Sequence, residues 1–175
     1  MEKTDLLDEK DRQMLHLLQM DAKMPQAEIA RRVGLSPASV NERIRKLEQR
    51  GVIRDWVVVL DDQKVGNDIT AFVEIFIEHP RHEREFVELM RSLDEVQECH
   101  YVAGEFSCLV KVKVPDRQAL RELVLDRLNS LDGVRQTRTL IVLETAKETT
   151  RMALGRGASP APADGAGRKK ARETR

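Results

Sequence analysis

The chain has 175 residues, 41% hydrophobic and 34% charged, with 30 basic side chains against 30 acidic ones. Such a length admits one domain or two small ones, and the composition suits a soluble protein. No membrane span, no secretory leader (the chain opens Met1-Glu2-Lys3-Thr4-Asp5) and, with only Cys99 and Cys108, no disulfide framework is expected, and the expected location is the cytoplasm.

The neutral total hides a segregation. Residues 1–60 carry 11 basic and 10 acidic groups, residues 61–145 carry 11 and 17, and residues 146–175 carry 8 and 3. Total charge makes no case for nucleic-acid binding, but a local basic footprint is all that phosphate contact requires.

Residues 6–20 read as a first helix. Leu7, Met14, Leu15 and Leu18 form its apolar stripe, Asp8, Glu9 and Asp11 sit near the positive end of its dipole, and Asp5 is the expected cap. Pro25 suits the first position of a second helix, residues 25–33, whose buried face is Ala27, Ile29, Ala30 and Val33. Gly34-Leu35 makes a short turn, with Leu35 as its apolar plug. Ser36 then caps a third helix with Pro37 at its first position. Val40, Ile44 and Leu47 fall on its inner face; Ala38, Ser39, Glu42, Arg45 and Lys46 fall outside. Residues 36–54 hold Arg43, Arg45, Lys46, Arg50 and Arg54 against Glu42 and Glu48. Three short helices, the last two joined by a Gly-containing turn, match helix-turn-helix spacing.

After Gly51 the period changes. Residues 52–60 (VIRDWVVVL) are β-branched and read as a strand, with Trp56 anchoring it to a neighbouring element. A polar stretch, 61–67, marks a domain boundary. The second half reads β-α-β-β-α-β: strand 68–78, helix from 80 to about 93, strand 96–102, strand 106–114, helix from 115 to about 128, and strand 134–143. Ala71, Val73, Ile75 and Ile77 share one strand face, with Phe72 and Phe76 on the other. That order is the split-βαβ, ferredoxin-like sandwich, whose open sheet face and edges favour pairing with a second copy. The fold class is therefore α+β: an N-terminal three-helix, winged/helix-turn-helix domain (1–52), a linker (53–67), a ferredoxin-like domain (68–150) and a basic tail (151–175). The tail is rich in Ala, Gly and Pro and is expected to be disordered, with Arg168-Lys169-Lys170 as solvating charge or a sequence-blind phosphate contact.

A search for catalytic chemistry finds little. His79 and His82 lack the further ligands of a zinc set, and Cys99 and His100 are adjacent in a strand, pointing oppositely. Cys108 reads as a small buried residue. No phosphate loop, dinucleotide fingerprint or serine nucleophile motif is present. The turn between the central strands is more informative. Tyr101, Ala103, Gly104, Glu105, Phe106 and Ser107 gather backbone amides, a hydroxyl and a carboxylate at one sheet end. Amides there would hold a small carboxylate, and Glu105 an ammonium, a combination that suits an amino acid. The competing reading is a tight turn that needs glycine and nothing more.

The stretches GLSPASVNERIRKLEQRGVI (34–53) and VQECHYVAGEFSCLVKVKVPD (96–116), in this element order, closely resemble the leucine-responsive/asparagine-type (Lrp/AsnC, feast/famine) transcriptional regulators over residues 4–150. The resemblance implies binding to double-stranded DNA and a nucleoid-associated homodimer that assembles to tetramers or octamers. It also implies an amino acid effector held near subunit interfaces, with no cofactor, metal or catalysis. The third helix, starting at Ser36 of the DNA-binding set, would enter the major groove with Ala38, Ser39, Glu42, Arg45 and Lys46 near base edges, and with Arg31, Arg43, Arg50 or Arg54 near phosphates. Arg45 is the first choice for readout, since arginine on guanine is the commonest specific contact. The family's turn typically reads Gly-Asp-x-Asp, whereas this chain has Gly104-Glu105-Phe106-Ser107. An altered effector preference and loss of sensing are both compatible with that change. The alternatives are an architectural DNA organiser without ligand response, and a tetrapyrrole-processing decarboxylase of similar architecture. The latter would use His100-Tyr101, but no arginine follows to hold porphyrin carboxylates.

Overall fold

The switch from a 3.6-residue to a 2-residue apolar period separates a helical from a sheet unit. A computed structural model, which describes residues 7–155, shows both. The helical unit takes in the chain up to Val57 together with the segment from Thr149, and the sheet unit is Val58–Glu148.

The helical unit is built from α1 (Glu9–Met20), α2 (Gln26–Val33) and α3 (Pro37–Gln49). The first helix starts at Glu9, three residues later than the apolar stripe suggests, because Asp8 caps it. The Asp8 carboxylate accepts from the Asp11 amide at 2.7 Å, and the Asp11 carboxylate accepts from the Asp8 amide at 3.2 Å. Asp5, the expected cap, lies outside the described residues. Met14, Leu17 and Leu18 pack with Ile29, Ala30, Val33, Val40 and Ile44, and Leu35 plugs this cluster as expected. Ala27 is exposed rather than buried, since it stands two residues before Ile29 and so on the far side of α2. Gly34 closes α2 at φ 68°, and the Leu35 amide donates to the Ala30 carbonyl at 3.0 Å. The left-handed cap turns the chain sharply into α3.

Residues 52–60 form no strand, and no wing hairpin follows α3 among the described residues. The β-branched run has no ladder partner among the described residues, and Val57, Val58, Val59 and Leu60 are all exposed. Trp56 does anchor the segment: its Nε1 donates to Glu48 of α3 at 2.8 Å.

The sheet unit contains β1 (Ile69–Ile77), α4 (Glu83–Ser92), β2 (Val96–Tyr101), β3 (Cys108–Val114), α5 (Arg117–Arg121) and β4 (Val134–Ile141). A short 3₁₀ turn, Pro80–His82, precedes α4, which therefore starts later than expected. Beyond α5 the helix widens into π-type turns, Glu122–Leu128. The four strands are antiparallel in the order β2-β3-β1-β4, the ferredoxin-like arrangement. Ala71, Val73 and Ile75 stand opposite Val112, Val110 and Cys108 on the face covered by Phe86 and Met90 of α4 and by Leu120, Leu123, Val124 and Leu128. Each such fully buried side chain contributes about 1.5–3 kcal/mol. The opposite face carries Phe72, Glu74, Phe76, Leu109, Lys111, Lys113 and Arg138. Its charges are paired: Glu74 with Arg138, Lys111 with Glu98 and Glu148, and Lys113 with Asp62 and Glu148.

Candidate nucleic-acid interface and ligand hairpin

The outer row of α3 divides into tied and untied groups. Ser36 Oγ accepts from the Ser39 amide at 3.1 Å and lies 2.9 Å from Ser39 Oγ, so both hydroxyls are engaged in starting the helix. Glu42 and Lys46 pair along the exposed face at 2.7 Å, and Lys46 holds the Glu42 carboxyl below its ordinary value. Arg43 is turned inward, with Nη1 on Asp8 at 2.6 Å and on Asp11 at 2.8 Å. Ala38 and Arg45 are exposed, and Arg45 makes no hydrogen bond or ion pair among the described residues. Arg54 is also exposed. Asp8, Asp11, Arg43, Lys46 and Arg50 border a cleft of about 400 Å³ beside this row.

On α2, Arg31 grips Glu28 with Nε at 2.9 Å and Nη2 at 2.7 Å, while Arg32 adds a contact at 2.6 Å. Hydrogen bonds from Arg31 and then Arg32 bring the Glu28 carboxyl down to about 2. Sequence reasoning placed Asp8 and Asp11 at the helix dipole and missed their grip on Arg43. A pairing across 32 residues leaves no periodic signal, although an acidic pair beside a basic helix was visible.

The hairpin between β2 and β3 brings Tyr101, Ala103, Gly104, Glu105, Phe106 and Ser107 to one sheet end. Val102 donates to the Ser107 carbonyl at 3.1 Å, and Ser107 donates to the Ile75 carbonyl at 2.9 Å. The amides of Ala103, Gly104, Glu105 and Phe106 have no acceptor among the described residues. Tyr101 and Glu105 are exposed, and Phe106 packs edge-on against Phe76 with centroids 6.2 Å apart. The Ser107 hydroxyl accepts from the Ile77 amide at 3.1 Å and so splices the hairpin onto β1. Gly104 does not have a positive φ, and a Cβ there would meet nothing within 4 Å, so the turn itself does not demand glycine.

No cluster of three or more His, Cys, Asp or Glu side chains able to hold a metal ion occurs among the described residues. His79 instead accepts from the Arg81 amide, and His82 from Arg81 Nε. Among the described residues, no helix is long and apolar enough to cross a membrane.

Comparison with known proteins agrees with this geometry. Residues 7–48 match the AsnC-type helix-turn-helix domain, and residues 70–152 match the Lrp/AsnC ligand binding domain. The chain is 38% identical over 150 residues to the leucine-responsive regulatory protein of Escherichia coli K12, covering 85% of this chain and 92% of that one. It is similar in structure to a Neisseria meningitidis transcriptional regulator solved with L-Met, at 30% identity and a TM-score of 0.81 over 85% of this chain and 97% of the other. A feast or famine regulatory protein of Mycobacterium tuberculosis complexed with L-methionine gives 32% identity and a TM-score of 0.77, over 83% and 98%. Neither matched domain is catalytic. The chain belongs to the Lrp/AsnC feast/famine family of DNA-binding transcriptional regulators.

Proposed function

We propose that α3 lies in the major groove of double-stranded DNA and that an amino acid held at the 101–107 hairpin modulates this binding. The observation that carries the reading is Arg45, an exposed guanidinium that makes no hydrogen bond or ion pair among the described residues, in the middle of the helix-turn-helix recognition face. A planar fork of donors matches guanine O6 and N7 in the groove. Ala38 and the Glu42–Lys46 pair flank it toward the bases, with Ser36 and Ser39 at the helix start. Arg31, Arg50 and Arg54 supply phosphate contacts, and Arg43 fixes the angle of α3 through Asp8 and Asp11.

For the effector, the unpaired amides of residues 103–106 receive a carboxylate and the exposed Glu105 receives the ammonium, while Tyr101 and Phe106 border the side chain. The two similar structures that contain L-methionine support an amino acid of that type. Self-association to a homodimer, and on to tetramers or octamers, is supported by the unpaired Val57–Val58–Val59–Leu60 run and the free edges of β2 and β4.

The test is selection of bound duplexes from a random DNA pool, repeated with L-methionine and L-leucine. The expected result is an inverted pair of half-sites whose occupancy changes with one of the two amino acids. Absence of any selected sequence at low salt overturns DNA reading by α3, and an unchanged profile with both amino acids overturns the effector assignment.

A further inference from the structure

The two cysteines bracket the hairpin. Cys99 lies opposite Val110, and Tyr101 lies opposite Cys108, so Cys99 and Cys108 are diagonal neighbours on adjacent antiparallel strands. Residues two apart share a face, which puts both thiols on the helix-covered side. Cys108 is fully buried in β3, while Cys99 is half-buried in β2, an edge strand whose one neighbour in the sheet is β3. The chain between them, residues 100–107, is the hairpin itself.

We propose that Cys99 and Cys108 form a reversible thiol–disulfide pair that is closed by hydroperoxides and pins the base of this hairpin. The Cys99 thiolate attacks the peroxide oxygen; the O–O bond breaks, Cys99 becomes a sulfenic acid, and the displaced oxygen leaves as water or an alcohol after taking a proton. Cys108 sulfur then attacks the Cys99 sulfur. The S–S bond forms, the S–O bond breaks, and the departing hydroxide takes the Cys108 proton as water. Two thiols lose two electrons and two protons, and the peroxide accepts both.

The roles divide by environment. The neighbouring Cys108 thiol stabilises the Cys99 thiolate and draws its pKa down to about 7, whereas Cys108 is pushed up by the same interaction and by burial. The accessible thiol is therefore the one that ionises. Diagonal partners in a regular ladder stand roughly 7–8 Å apart, at or just past the separation of about 7 Å that a disulfide spans without backbone movement. Closing the bond thus draws the edge strand inward, and such strained bridges are the readily reduced ones.

The test uses the full reduced chain and stoichiometric hydrogen peroxide. Intact mass should fall by two hydrogens, both thiols should be unreactive to maleimide after denaturation, and dithiothreitol should restore them. Amide exchange across 102–107 should slow in the oxidised form. Cys108→Ala and Cys108→Ser should instead accumulate a dimedone-reactive sulfenic acid on Cys99, with two variants guarding against a core defect in either. Persistence of both free thiols overturns the proposal, as does Cys99 in the unmodified chain running on to sulfinic acid or cross-linking two chains. The thiol chemistry is independent of effector binding, so loss of one leaves the other standing.

Discussion

Arg43 of α3 and Asp11 of α1 meet at 2.8 Å, and the same guanidinium nitrogen reaches Asp8 at 2.6 Å. The capping box that starts α1 therefore also holds the middle of α3. Asp11 is 7% exposed, so the pair is an internal brace at the edge of the helical core. Arg43→Met should destabilise the helical unit by about 1–3 kcal/mol, because it strips a nearly buried carboxylate of its counter-charge while keeping the aliphatic stem. Urea unfolding followed by Trp56, the only tryptophan and a partner of Glu48 on α3, measures it. An unchanged midpoint would show the brace to be energetically idle.

The same brace gives an acid dependence. Burial raises the Asp8 carboxyl, but the Asp11 amide and the Arg43 guanidinium outweigh it, and the folded pKa lies below the ordinary value. A depressed carboxylate stabilises fully above its unfolded pKa of about 4 and loses that contribution as pH falls through the folded value. The Tm difference between the unmodified chain and Arg43→Met should thus be steady from pH 5 to 7, on the order of the neutral value, and shrink below about pH 4. A gap that widens in acid would contradict the sign.

Arg45→Ala should leave the Trp56-reported midpoint within about 0.5 kcal/mol, since it breaks no hydrogen bond or ion pair among the described residues. It should weaken binding to the selected duplex by ~1–3 kcal/mol while barely changing binding to random DNA. Lys46→Ala removes an exposed pair with Glu42 and one cation beside the bases, so it should weaken the selected duplex less than Arg45→Ala does and also lower the salt slope. Fluorescence anisotropy at two salt concentrations separates the two effects. Equal losses on both duplexes for Arg45→Ala would make it a phosphate contact.

Much of this was legible in the sequence because periodicity reports directly on which residues share a face. Val40, Ile44 and Leu47 are all buried, as are Ala71, Val73 and Ile75, and the βαββαβ order follows from the alternation of the two periods. What failed to show depended on distant partners. The run at 52–60 has strand propensity, but propensity cannot supply a ladder partner, and the described residues offer none. Ser107 carries the right chemistry for a ligand, yet an amide of β1 thirty residues earlier claims its hydroxyl. Gln19 clasps Met152 through both its amide and its carbonyl, 133 residues away, a contact that no local pattern announces.

Gly34 and Gly133 should differ when replaced by alanine. Both sit at positive φ, 68° and 86°. A Cβ at Gly34 meets only Lys10 Nζ at 3.8 Å, so the backbone term alone applies, about 1–2 kcal/mol. At Gly133 a Cβ would lie 2.3 Å from His82 Cγ and 2.6 Å from its Cβ, so the 3₁₀ turn ahead of α4 must also move. Gly133→Ala should cost several kcal/mol, on the order of 3 or more, once overpacking is added to the backbone term. Hydrogen exchange on α2 and α3 for Gly34→Ala, and on β1 and β4 for Gly133→Ala, reads each loss, and near-equal effects at the two glycines would remove the His82 contact as its cause.

Gly104 and Ser107 allow ligand binding to be separated from folding. Ser107→Ala removes the acceptor of the Ile77 amide, a part-buried bond, and should destabilise the sheet unit by about 1–2 kcal/mol with only a secondary effect on the effector. Gly104→Ala should do the reverse. Its φ is not positive and its Cβ direction is open, so stability should stay within about 0.5 kcal/mol. If the amides of residues 103–106 receive the effector carboxylate, the added methyl stands where the ligand approaches, and affinity for L-methionine should drop roughly tenfold, ~1.4 kcal/mol. Calorimetric titration with L-methionine beside thermal unfolding of both variants gives the answer. Unaltered methionine binding by Gly104→Ala would move the effector away from this hairpin, whereas a crossed pattern would fix it there.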